Sequence, residues 1–261
     1  MTVDIAAICE NGNAVVAVSD MQRTFGRLFE VEVDSPKVFE FSDKCLVMHA
    51  GGGDKAHQLC VYGKKQFGDE VSVDKIAHGL KEVYKRFKHM EVNDELLSRF
   101  GLDWETFQRG QSGMNPQLVA ELVQNMAKHD YTVDLLVAGL DTEAHLYQIS
   151  NPGTQSNFDK NGYWATGSGM QFAITTLAME KYKVDLPLNS ALYQLFEAKK
   201  SAEIAVGVGK MTDAYVITKD KGIKRVDEDV LQSLADIYTT KQAELKKIDK
   251  GLKERVSQIK V

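Results

Sequence analysis

Residues 2 to 9 (TVDIAAIC) and 13 to 20 (NAVVAVSD) are short runs of Val, Ile and Ala, with a strong turn signal, Asn11-Gly12-Asn13, between them. The chain is therefore expected to open with a β-hairpin. After an irregular stretch closing at Ser35-Pro36, KVFEF and KCLVMHA repeat the pattern across Ser42-Asp43 and predict a second hairpin ending at Gly51. From Asp54 the period turns helical through about Phe67, and Ser72 then stands as N-cap of a second amphipathic run ending near His89. Residues 91 to 113 read as an insert with a short helix around Leu96 and Leu97, after which Asn115-Pro116 caps a helix reaching Lys128. YTVDLLVAGL, AHLYQIS and NGYWATG are β-rich again, so the strands up to Gly51 are expected as one sheet and these as a second. Helical runs at about 170–182 and 189–202 precede a last hairpin, DAYVITKD and IKRV, turned by Asp220-Lys221-Gly222.

Strands come in hairpins separated by helices, which disfavours a doubly wound parallel sheet. Two antiparallel sheets that stack on each other and carry helices outside satisfy the pattern. The expected fold is α+β, a four-layer αββα sandwich of two stacked antiparallel sheets with flanking helices. It is expected to occupy residues 1–226 as one domain, with 91–113 a helical insert and 227–261 a charged amphipathic helix. In that last segment Leu234, Ile237, Leu245, Ile248, Leu252, Val256 and Ile259 recur mostly at three- or four-residue steps, giving one apolar stripe for docking on the domain or on a neighbouring subunit.

A chain of 261 residues with 43% hydrophobic content can bury a large core. Its Lys+Arg 32 against Asp+Glu 37 lacks the basic footprint of a nucleic-acid binder, so nucleic acid is not an expected partner. Cys9, Cys45 and Cys60 are odd in number and sit in or beside apolar runs, as small buried hydrophobes do in a reducing compartment. With no leader-like start and no long apolar span, a soluble, cytoplasmic protein without a membrane partner is expected. Neither Gly51–Gly53 nor Gly207-Val208-Gly209 completes a nucleotide-binding fingerprint, and the six histidines show no paired ligand spacing, so neither a cofactor nor a metal site is expected.

Thr2 draws attention because removal of Met1 would put a hydroxyl and a free amine on one residue, nucleophile and base together. A free α-amine titrates near pH ~8, so part of it is neutral at cellular pH. MTVDIAAICENGNAVVAVSD followed by PKVFEFSDKCLVMHAGG resembles the opening of proteasome β subunits: a nucleophile strand, a strand ending in an acid, a lysine opening the next strand and a glycine turn. Thr2, Asp20, Lys37 and Gly51 fall in those places, with a longer first turn absorbing two extra residues between Thr2 and Asp20. Further on, TVDLLVAGLDTEAHLYQISNPG resembles the paired strands of the family, and YWATGSGMQFAITTL its Gly-Ser-Gly turn, where Ser168 matches a catalytic-site serine. The resemblance covers about residues 2 to 226 in order and suggests a divergent bacterial or archaeal relative.

What it implies is a threonine-type N-terminal-nucleophile hydrolase, a protease in the simplest case, acting on a peptide or protein substrate. Thr2 would attack a carbonyl, Lys37 would set a positive charge beside the hydroxyl, Asp20 would pair with Lys37, and Ser168 would hold the amine and a water. The Gly51 N–H would donate to the oxyanion. Read plainly, Asp20–Lys37 is an ion pair, Ser168 a helix cap and Gly51 a turn residue. Where the family has an Asp and a Ser near the amine, this chain has Ala205 and Val208; Ser201 and Glu203 nearby are either substitutes or exposed helix-end residues. The resemblance also implies a homo-oligomer, and leaves open an ATPase partner, a non-catalytic scaffold role, and a non-peptidase amidase or transpeptidase on the same fold.

Overall fold

The computed structural model describes residues 2–25, 29–32, 37–70 and 72–258. β1 (Asp4–Cys9) and β2 (Ala14–Asp20) form the opening hairpin, in register from Asp4 opposite Ser19 to Cys9 opposite Ala14. Within the stretch expected as irregular, β3 (Gln22–Phe25) and β4 (Phe29–Glu32) instead pair as a two-stranded ribbon. Ser35 and Pro36, which close that stretch, lie outside the described residues. β5 (Phe39–Ser42) and β6 (Cys45–Gly51) make the next hairpin, with a register shift between Glu40 and Ser42.

Two helices follow, α1 (Gly53–Phe67) and α2 (Val73–Val92). The Ser72 hydroxyl accepts from the Lys75 N–H and caps α2, whose Val73, Ile76, Ala77, Leu80, Val83 and Tyr84 are buried at three- and four-residue steps. α2 runs past His89 to Val92 and into a π-turn at Asn93–Leu97, so the turns around Leu96 are not an independent α-helix. The helix of this region is α3 (Trp104–Gly110), followed by α4 (Pro116–Lys128), which Asn115 caps through its side chain. Leu97, Phe107 and Leu122 give the segment a small core of its own.

The remaining elements are β7 (Val133–Leu140), β8 (Ala144–Ser150), β9 (Thr154–Asn157), β10 (Tyr163–Thr166), α5 (Met170–Met179), α6 (Leu188–Ala202), β11 (Thr212–Thr218), β12 (Gly222–Arg225) and α7 (Glu228–Val256). One five-stranded sheet has the order β10-β1-β2-β11-β12 and the other β5-β6-β7-β8-β9, all pairs antiparallel. The division into early and late strands is thus corrected: the β5–β6 hairpin belongs with β7, and β10 returns to flank β1. Strand patterns fix which face of a strand is apolar but not which distant strand lies beside it.

The fold is the expected α+β sandwich. Between the sheets lie Ala6, Ile8, Val15, Ala17, Leu46, Met48, Leu136 and Ala138. The alternate residues of β1, Ile5, Ala7 and Cys9, face α5 and α6, while Val47, Leu135 and Val137 of the other sheet face α1 and α2. α7 buries only Leu231 and Leu234. Ile237, Leu245, Ile248, Leu252 and Val256 of its stripe are exposed, so docking on the domain is limited to the first turns; Ile259 lies outside the described residues. Among the described residues no helix is long and apolar enough to cross a membrane.

Candidate active site

The hairpin register brings Thr2 and Asp20 together. Thr2 immediately precedes the Val3 whose carbonyl accepts from Asp20 N (3.2 Å), and Asp20 ends β2. Lys37 approaches from the start of the other sheet, two positions ahead of β5. Its Nζ donates to Thr2 Oγ1 at 2.8 Å and to both Asp20 oxygens at 3.0 and 3.1 Å, and the Thr2 hydroxyl donates to Asp20 Oδ1. All three residues are buried, with Asp20 fully so.

Asp20 is held on every side. Its Oδ1 also accepts from Val3 N (2.9 Å), and its Oδ2 from Gln22 N (3.0 Å) and Gly209 N (3.1 Å). Three backbone N–H groups and an ammonium compensate a carboxylate that would otherwise cost several kcal/mol to bury (~ per ion). That arrangement leaves Lys37 as a fixed cation against the Thr2 hydroxyl.

Ser168 sits between β10 and α5. Its Oγ accepts from Thr2 N (3.3 Å) and lies 3.4 Å from both the Thr2 and Val206 carbonyls. The glycines around it permit this closeness: at Gly167, with φ +91°, a Cβ would fall 2.3 Å from the Thr2 carbonyl oxygen. Gly169 N donates to that same carbonyl. Ser168 is exposed, whereas Thr2 is buried.

Gly51 is placed differently. It ends β6 opposite Val133 with φ +94°, where a Cβ would come within 1.9 Å of the Thr132 carbonyl oxygen. The hydrogen bonds of Thr2 among the described residues run to Asp20, Lys37, Ser168 and the Gly169 N–H, and none to Gly51. Thr2, Asp20, Lys37 and Ser168 are thus brought together, and Gly51 is not joined to them by a hydrogen bond.

Several neighbours had no reading from the sequence as site residues. Asp4 is fully buried; it accepts from the Ser19 hydroxyl at 2.6 Å through Oδ1, and its Oδ2 has no hydrogen-bond partner among the described residues. Burial pushes its carboxyl up to about 7, against the Lys37 charge and the Ser19 hydroxyl, which pull it down, and with Asp20 adding to the rise. A charged residue inside the apolar run VDIAAIC was the available signal. Gly209 reaches Asp20 from the loop between α6 and β11, which also contains Ala205 and Val208; Val208 is buried against the α5–α6 core. Ser201 turns back to the Glu197 carbonyl, and Glu203 is bound by Lys199 and Lys200, so neither touches Thr2.

The three cysteines are free and buried, and burial raises each thiol above its ordinary range. One carboxylate–histidine group, Glu91, Glu95 and His129, has its ligand atoms within 4.8 Å of one another. Lys55 (2.6 Å) and His129 (2.8 Å) already occupy the two oxygens of Glu91, and Glu95 is exposed, an arrangement that an ion-pair network accounts for.

A sequence model of the family described as proteasome subunit matches residues 108–203. The proteasome subunit beta of Thermoplasma acidophilum (strain ATCC 25905 / DSM 1728 / JCM 9062 / NBRC 15155 / AMRC-C165) is 31% identical over 124 residues, 45% of this chain and 56% of that relative. Over these residues the chain is similar to proteasome subunits. It spans little more than half the length of the curated relative it matches. The family match includes Ser168 and the helices α5 and α6, and ends at Glu203, where the loop toward Gly209 begins.

Proposed function

We propose that this chain is a threonine-type N-terminal-nucleophile hydrolase cleaving amide bonds, most simply peptide bonds, with Thr2 as nucleophile once Met1 is removed. The observation that carries the reading is Lys37 Nζ at 2.8 Å from Thr2 Oγ1 inside a buried cluster with Asp20. A scaffold subunit gains nothing from burying a Lys–Asp pair around a hydroxyl, since desolvation costs about several kcal/mol per ion.

Thr2 Oγ attacks the substrate carbonyl carbon, and its proton passes through a water to the freed α-amine. The Lys37 charge stabilises the oxygen as it becomes an alkoxide, and Asp20 keeps Lys37 in place. Collapse of the tetrahedral intermediate breaks the C–N bond, and the leaving amine takes that proton. Water then attacks the Thr2 ester and releases the acid. Ser168 Oγ, 3.3 Å from Thr2 N, is positioned to hold the amine, and the Gly51 N–H is the proposed oxyanion donor. While Thr2 N is in a peptide bond it is an amide with no useful basicity, so cleavage ahead of Thr2 must precede turnover.

A peptide or protein is the proposed substrate, in a soluble, cytoplasmic homo-oligomer. Transpeptidation would differ only in the group that takes the acyl chain from Thr2. The test is turnover of fluorogenic peptides by protein verified to begin at Thr2. Thr2→Ala is expected to abolish it and Thr2→Ser to retain part, since Ser keeps both amine and hydroxyl. Hydrolysis by a verified Thr2→Ala protein, free of contaminating protease, would refute Thr2 as the nucleophile, and absent turnover by the wild-type chain beginning at Thr2 would favour the scaffold reading.

A further inference from the structure

Lys199, in the last turn of α6, is a fully buried lysine that the mechanism above does not use. Its Nζ donates at 2.7 Å to Glu203 Oε1 and at 2.7 Å to the Lys210 carbonyl. Those two acceptors are the opposite ends of the loop joining α6 to β11. Between them, Gly209 N donates to Asp20 Oδ2 and the Val206 carbonyl faces Ser168 Oγ. One buried ammonium therefore ties the base of the loop whose backbone touches both Asp20 and Ser168. Lys200, more exposed, adds a contact to the same Glu203 oxygen at 2.9 Å and a long one to the Lys210 carbonyl at 3.4 Å, so Lys199 is the buried and shorter of two ties across the loop.

We propose that Lys199 is a positioning residue: by pinning Glu203 to Lys210 it fixes the Gly209 N–H on Asp20 and the Val206 carbonyl on Ser168, and so sets the placement of the Thr2 cluster. The proposal rests on the reading of Thr2 as nucleophile. Its physical basis is that burying an ammonium is costly unless it is paired and hydrogen-bonded, so a buried lysine holds its partners at fixed distances. Here the partners belong to the loop in which Ala205 and Val208 supply no polar side chain toward Thr2. The backbone of that loop carries the polar contacts instead, and a backbone donor has to be held by something else.

Burial lowers the Lys199 ammonium to about 8; the hydrogen bond and charge of Glu203 oppose that fall, Lys200 adds to it, and Asp20 of β2 opposes it. Proton loss near that pH removes the charge from both anchoring bonds and releases the loop.

The experiment pairs Lys199→Met with Glu203→Gln in the full chain beginning at Thr2. Lys199→Met removes the cation without orphaning Glu203, which keeps Lys200; Glu203→Gln keeps the ammonium and covers the case in which Lys199→Met does not fold. Amide hydrogen exchange across residues 203–210 reads the hold of Lys199 on the loop, independently of catalysis. The rate of Thr2 acylation by a β-lactone, separated from the affinity for the same β-lactone, reads its consequence. Lys199→Met is expected to speed Gly209 exchange and to slow acylation about tenfold to a hundredfold with affinity unchanged, as a misplacement of roughly 1 Å does. Wild-type acylation is expected to fall above about pH 8, and Glu203→Gln to move that limb to lower pH. Unchanged Gly209 exchange in folded Lys199→Met, or faster exchange with acylation at the wild-type rate, overturns the proposal. Absent labelling of wild type would sink the nucleophile reading and the positioning role with it, and the exchange arm would still tell whether Lys199 holds the loop.

Discussion

Asp4 makes the energetics of the site measurable without any substrate. Its carboxyl has an ordinary value of 3.8 and is pushed up to about 7 in the folded chain, chiefly by burial. The unfolded chain therefore releases this proton at lower pH than the folded one. Between those values the folded state holds the extra proton, so stability falls as pH rises through the window; the stabilising effect is complete below about 4 and gone above about 7. The shift of about three units corresponds to about 4 kcal/mol over the whole window, of which roughly 2.5 kcal/mol falls between pH 5 and 8. Asp4→Asn cannot ionise and lacks this term. Whatever the amide costs or contributes by itself, the melting temperature of Asp4→Asn relative to wild type should climb by about 5–10 °C from pH 5 to pH 8, using roughly 2–4 °C per kcal/mol for a domain of this size. Differential scanning calorimetry at matched ionic strength reads the difference. A gap independent of pH would mean that Asp4 is ionised in the fold, with its second oxygen paired, and the electrostatic account of the buried Asp4 carboxyl would be wrong.

Lys37→Ala should lower acylation of Thr2 nearly as far as Thr2→Ala does, because residues acting as one unit give non-additive losses. It should also cost about 3 kcal/mol of stability by urea titration, at the low end for a broken buried pair because three backbone N–H groups stay on Asp20. Lys37→Arg should recover little activity, since a planar guanidinium crowds the hydroxyl; wild-type rates in it would remove the fitted ammonium from the account. Gly51→Ala should destabilise by about 3 kcal/mol in the same titration, given φ +94° and a Thr132 carbonyl 1.9 Å from the new Cβ, and an unchanged midpoint would contradict the backbone geometry. Light scattering at micromolar concentration should find an oligomer, and a monomer would contradict the expected assembly.

Much of the fold could be read from the sequence because its hairpins are local. Short apolar, β-prone runs flanking Asn11-Gly12 and Ser42-Asp43 announce strands and turns together, and Ser72 and Asn115-Pro116 mark helix starts through their own capping side chains. Sheet membership was not legible: β10 pairs with β1 across more than 150 residues, and no local pattern encodes that choice. β9 escaped notice because Thr154–Asn157 is polar and largely exposed at the sheet edge. The trio Thr2, Asp20 and Lys37 came from resemblance, with the hairpin placing the first two at one end of the sheet. Lys199 gave no signal, since a lysine in the last turn of a helix ordinarily faces solvent and complements the helix dipole. Only the return of the loop through Gly209 and Lys210 encloses it.

The central claim is that Thr2 is the nucleophile, and intact-protein mass spectrometry with an N-terminal covalent probe tests it most directly. Protein beginning at Thr2, treated with a β-lactone, should gain one adduct mass that maps to Thr2, while the same chain with Met1 retained, and Thr2→Ala, should gain none. Equal labelling of the Thr2→Ala protein, or an adduct on another residue with Thr2 free, would contradict the account.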